Sequence, residues 1–125
     1  MMGYLTYALL GRKVRKYDVV TVVATNAQGR AGYAYSEVSA SRTVTLGRPF
    51  IVEKVETYAR GFGHSSDGKR FTGSPSVDYL IDGETNPTLP KTAAKSLGLS
   101  ATYSTPEAVE VIAVVAVAVF YGRWT

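Results

Sequence analysis

The hydrophobic pattern of this chain is densest near its C-terminal end. From Val109 to Tyr121 the sequence runs VEVIAVVAVAVFY, and from Val111 onward both positional sets are apolar. The odd set is Val111, Ala113, Val115, Val117, Val119 and Tyr121; the even set is Ile112, Val114, Ala116, Ala118 and Phe120. Six Val between positions 109 and 119 favour a strand over a helix, because β-branched side chains fit a pleated surface and crowd a helical one. Eleven residues from Val111 to Tyr121 would run roughly 36 Å at strand rise. An antiparallel strand with one side in water normally alternates apolar with polar. Two explanations fit one that does not. Either the chain's own residues cover both sides, with residues 1–16 supplying part of the cover, or a neighbouring subunit covers the outer side. A two-layer body leaves one side of each sheet outward, which favours the neighbour and makes the odd set the expected subunit interface.

Weaker signals divide the rest of the chain. Tyr17 to Thr25 (YDVVTVVAT) predicts a strand, Asn26 to Gly29 a turn, and Ala31 to Ser39 the returning strand of a hairpin. Arg42 to Leu46 alternates, and Gly47-Arg-Pro49 is expected to break it. Phe50 to Arg60 predicts a long strand, with helical spacing of Ile51, Val55 and Tyr58 as the competitor. Gly61 to Ser76 is expected to be a polar, Gly-rich loop, and Val77 to Asp82 a strand that ends at the turn signal Asp82-Gly83. Glu84 to Ser96 is expected to be irregular around Pro87 and Pro90, with one helical turn in Ala93 to Leu97. Leu99 to Tyr103 reads as a short strand before Thr105-Pro106 resets the chain. Residues 1–16 fit a short helix, a strand or an extended arm equally. About seven strands without alternating helices predict an all-β fold, an antiparallel β-sandwich of jelly-roll type over 17–125 with an N-terminal arm or short helix over 1–16.

Composition supports that picture and narrows the chemistry. A chain of 125 residues makes one domain, and 16 Val, 3 Ile and 13 Thr against 8 Leu is strand-rich. No Cys is present, which removes disulfides, thiolate metal sites and thiol nucleophiles, and the single His64 removes any site that needs two imidazoles. Tyr4 to Leu10 is apolar but precedes its basic cluster, unlike a secretory leader, and the eleven-residue run falls short of the about 20 residues of a spanning helix. A soluble protein without a cleaved leader is therefore the expectation. The net charge of +4 is uneven: residues 1–48 hold seven Lys/Arg against two acids (+5), residues 49–125 seven against eight (−1).

Few residues combine into candidate chemistry. Arg12, Lys13, Arg15 and Lys16 are the expected nucleic-acid contacts, since clustered cations neutralise phosphates whatever the sequence; the alternative is a solvated stretch that keeps an edge soluble. Asp78, Asp82 and Glu84 share a strand and its turn and could hold a cation, although acids at a turn are commonly just solvated. Asp67-Gly68 is a fragment of a calcium loop without its other ligands. His64 is expected to sit exposed in the polar loop. Nine Tyr and Trp124 suit sugar stacking or protein interfaces alike. No catalytic residue, metal ligand or cofactor is expected.

The order of these segments carries a resemblance. A basic N-terminal stretch, short Val/Thr/Tyr-rich strands, Arg48-Pro-Phe-Ile-Val-Glu-Lys-Val-Glu-Thr-Tyr58, Val77-Asp-Tyr-Leu-Ile-Asp-Gly83 and an apolar closing strand together resemble the small jelly-roll structural proteins of bacterial and archaeal virus particles. The resemblance implies a shell subunit whose arm reaches neighbours or packaged nucleic acid, with no catalytic residues. The chain is short for a capsid jelly roll, so a capsid, penton or decoration subunit fits equally. The expected function is thus a non-enzymatic, self-assembling virion protein whose partners are copies of itself, other structural subunits and nucleic acid. A carbohydrate-binding sandwich, or a cell-surface filament subunit joined by strand exchange, are the alternatives.

Overall fold

The computed structural model describes residues 17–125. The expected arm, with Arg12, Lys13, Arg15 and Lys16, lies outside the described residues. Within them the chain forms seven strands: β1 (Asp18–Gly29), β2 (Tyr35–His64), β3 (Arg70–Gly73), β4 (Ser76–Ile81), β5 (Glu84–Thr85), β6 (Lys91–Val109) and β7 (Val111–Trp124). Every pairing is antiparallel. The order is β1-β7-β2-β6-β4-β5, with β3 added to β2.

The sandwich is one sheet folded on itself, and β2 is the fold line. Its 30 residues would stretch about 100 Å if straight. Tyr35 to Thr45 pairs with β6 and Phe50 to His64 pairs with β7, so one strand belongs to both layers. The register on β6 shifts between Thr45 and Phe50, where Gly47, Arg48 and Pro49 stand. The expected break is instead a bend inside a strand, because Pro is tolerated where the ladder is already irregular.

Apolar side chains fill the space between the layers. From the β1-β7-β2 layer come Val22, Ala24, Ile112, Val114, Ala116, Ala118 and Phe120; from the other come Val38, Ala40, Leu97, Leu99, Ala101 and Tyr103, all buried. The rings of Tyr79 and Phe120 meet edge to face across the gap at 6.3 Å. At Gly61 the layers approach closely, since a Cβ there would overlap the ring of Tyr103. Gly122 serves the corner, where a Cβ would strike the carbonyl of Ile51.

Several expected loops are strands. Asn26 to Gly29 continues β1 against Val111 to Val114, and the chain turns after it, where Gly32 has φ 82°. Gly61 to Ser76 is a hairpin in which Gly61 to His64 pairs with Arg70 to Gly73 around a turn closed by Ser65 and Lys69. Ala93 to Leu97 is extended, not a helical turn: Ala94 and Leu97 are buried opposite Phe50 and Val44. Thr105 and Pro106 do not reset the chain, which stays in β6 to Val109. Asp82-Gly83 makes the expected two-residue turn, with φ of 52° and 82° as a type I′ turn requires.

Candidate functional site

The two faces of β7 have different fates. Ile112, Val114, Ala116, Ala118 and Phe120 are fully buried. The odd set looks away from the core and is half-buried or exposed, with Val111 at 46% and Val115 at 41%. No other described strand lies over it.

Register extends this outer face to both neighbours, because residues paired across strands share a side. On β1, Val19, Thr21, Val23 and Thr25 stand opposite Tyr121, Val119, Val117 and Val115. On β2, Lys54, Glu56, Tyr58, Arg60 and Phe62 stand opposite Tyr121, Val119, Val117, Val115 and Ala113. Val19, Val23, Tyr58 and Phe62 are exposed, Tyr58 at 57%. In the sequence only the β7 row stands out as an interface. The doubled valines in Tyr17 to Thr25, apolar at both parities, were the signal for β1. Tyr58 and Phe62 carried none, since they alternate with charged residues and glycines.

Three strands at about 4.8 Å spacing and eleven residues in length make a surface of roughly 500 Å² in projection. Thr21, Thr25, Lys54, Glu56 and Arg60 share it with the apolar side chains, and the largest apolar patch of a protein is often functional. The polar groups on it are partly engaged. The Glu56 carboxylate accepts from the Tyr121 hydroxyl (2.8 Å) and the Tyr58 hydroxyl (3.0 Å), and Lys54 Nζ lies 3.4 Å away. These hydrogen bonds, Tyr121 first, hold the Glu56 carboxyl below its ordinary range, and the same carboxylate pushes both phenols up. The Lys54 ammonium also sits over the Tyr121 ring at 5.2 Å. Tyr121 is thus apolar on its face and hydrogen-bonded at its tip.

Two recesses flank the face. One, of about 750 Å³, lies along the β2 edge between Tyr58, Arg60, Pro75, Val77, Val115 and Val117. The other, about 220 Å³, is apolar and lies between Phe62, Phe71, Val111 and Ala113.

The remaining sequence candidates are placed separately. Asp78 accepts from Asn86 Nδ2 (2.8 Å), Asp82 accepts the backbone N–H groups of Lys95 (2.8 Å) and Ser96 (3.0 Å), and Glu84 pairs with Lys91 (2.8 Å). Each acid therefore fastens a different part of the β4–β6 region. Asp67 takes the Ser65 hydroxyl and the Lys69 N–H within its own turn, which lowers its pKa. His64 belongs to a strand and not a loop, paired with Arg70 and Val111. Among the described residues no group of three or more His, Asp or Glu is arranged to hold a metal ion, and no helix is long and apolar enough to cross a membrane.

No protein-family model, no curated protein and no solved structure matches this chain.

Proposed function

We propose that this chain is a non-enzymatic structural subunit that assembles with copies of itself, as the shell, penton or decoration component of a virus particle. The observation that carries the reading is the outer face of β7. Its odd set is apolar throughout, it is continued by Val19, Val23, Tyr58 and Phe62, and no described part of the chain covers it. Burying a Val side chain contributes about 1.5 kcal/mol or more, so a partner that covers this face gains several such terms at once. The basic residues Arg12, Lys13, Arg15 and Lys16 would contact nucleic acid as a sequence-independent phosphate clamp.

Light scattering on a sizing column tests the core of the reading. The wild-type chain is expected to exceed monomer mass at tens of micromolar, and the double substitution Val115→Lys/Val119→Lys to reduce it to monomer. A wild-type chain that stays monomeric at high micromolar concentration would overturn self-assembly. Electron micrographs of the assembled material then separate the kinds of subunit: closed particles are expected, and open fibres would point to a filament protein instead.

A further inference from the structure

The two outer faces of the sandwich differ in kind. On the layer built by the first half of β2 and by β6, Ser39, Ser41 and Thr45 stand opposite Thr102, Ser100 and Ser96, a hydroxyl surface suited to water. The β1-β7-β2 layer has valines in the equivalent place. Register arranges that second face as five rows across three strands. The middle row is Val23, Val117 and Tyr58. One step to one side come Thr21, Val119 and Glu56, and one step to the other Thr25, Val115 and Arg60. The end rows are Val19, Tyr121 and Lys54, and Ala27, Ala113 and Phe62.

This pattern is its own complement when reversed about the middle row. Thr falls on Thr, Val on Val, and Glu on Arg. At the ends Tyr121 falls on Ala113, where the 220 Å³ apolar recess has room for part of a ring, and Lys54 falls on Phe62, a cation over an aromatic face.

We infer that two copies pack these faces together about a two-fold axis that runs along the Val23–Val117–Tyr58 row, across the strands. This rests on the self-assembly reading and fixes which surfaces meet and in what register. Two-fold contacts are reciprocal: if one residue meets another on the second copy, that other meets the first in return. Sheets packed face to face lie about 10 Å apart with strand directions within about 30°, so rows one step from the axis stay opposed. Glu56 of each copy then meets Arg60 of the other. Among the described residues Arg60 has no acidic partner. The Glu56 Oε1 accepts both phenols, while its Oε2 lies 3.4 Å from Lys54 and keeps a lone pair for a guanidinium.

Charge decides between this arrangement and its competitors. An axis along the strands would lay β1 of one copy over β2 of the other, and Glu56 and Arg60 would face threonines. Residues 1–16, the alternative cover, hold four cations and no acid, so they bring nothing to Arg60. Two faces of roughly 500 Å² together cover on the order of 1,000 Å², the size of a weak, concentration-dependent dimer.

The chain has no Cys, so introduced thiols report the register. They are joined with a short bis-maleimide at concentrations where light scattering shows association. Val117→Cys, on the axis, is expected to link to itself, and Phe62→Cys to link to Lys54→Cys in mixed copies. Phe62→Cys alone is expected not to link, because its mate lies about 27 Å away along the strands. No link from Val117→Cys, or a link between Phe62→Cys and Ala27→Cys in its place, would overturn the proposal. Charge reversal gives a second readout. Arg60→Glu and Glu56→Arg are each expected to raise the concentration at half-association about tenfold or more, and their equimolar mixture to restore it, since the mixed dimer regains both opposite-charge pairs. A mixture no better than either variant alone, with both variants melting as folded chains, would also overturn it. If the wild-type chain associates but the thiols link otherwise, this register fails while self-assembly stands. If the wild-type chain never exceeds monomer mass, the underlying reading fails as well.

Discussion

Gly61 shows how one missing Cβ sets the distance between two layers. Tyr103, buried on β6, lays its ring against the Gly61 backbone, and Gly73 is close to the far edge of the same ring. Gly61→Ala is expected to cost about 1–3 kcal/mol, as other forced overpackings do, read as a lower midpoint in thermal or urea unfolding; an unchanged midpoint would show that the layers separate freely. Glu56 offers a second test, of pH dependence. Its folded pKa lies below the ordinary value of 4.5. Its contribution to stability is therefore complete above that ordinary value and is lost as pH falls through the lower, folded one. Tyr121→Phe removes the largest cause, so the Glu56 carboxyl, followed by carbon NMR, should titrate closer to 4.5. Neither detail was legible in the sequence. Gly61 read as the start of a flexible loop, and the partners Tyr121 and Glu56 stand 65 residues apart.

At the scale of elements, apolar alternation located the strands well and their ends poorly. Tyr17 to Thr25, Phe50 to Arg60, Val77 to Asp82 and the closing apolar run all proved to be strands. The misplaced boundaries share a cause, namely that tertiary pairing overrides turn-forming residues which by themselves favour a break. Gly47-Arg-Pro49 lies within β2, and Thr105-Pro106 within β6, because the ladders on either side hold the chain extended. The type I′ turn at Asp82-Gly83 was legible because positive φ there demands those residue types. What Asp82 does beyond its own turn was not. Its carboxylate secures the N–H groups of Lys95 and Ser96 on the neighbouring strand. Asp82→Ala should destabilise the β4–β6 edge by about 1–3 kcal/mol, and faster amide exchange at Lys95 and Ser96 than at Ala116 would mark the loss as local.

For the molecule as a whole, the balance between apolar surface and available cover decides what stays outside. A closing strand apolar on both sides has more hydrophobic surface than a two-layer body can enclose, and of its two sets only the even one lies in the core. The odd set remains outside, with help from β1 and β2 that only the register reveals. Because these side chains contribute little to the isolated fold, Val115→Lys/Val119→Lys should leave the stability of the monomer within about 0.5 kcal/mol. A large drop in the unfolding midpoint, measured below the assembly concentration, would mean that the face is covered intramolecularly after all.

A strand common to both layers has a thermodynamic consequence. Residues 35–64 are a seam common to both walls, so the two walls are expected to open together. Amide protons deep in opposite walls, Leu99 in one and Val114 in the other, should escape to solvent through the same opening event, with matching free energies and denaturant slopes in native-state exchange. Two separable slopes would show that the corner at Arg48 and Pro49 acts as a hinge between units that melt on their own.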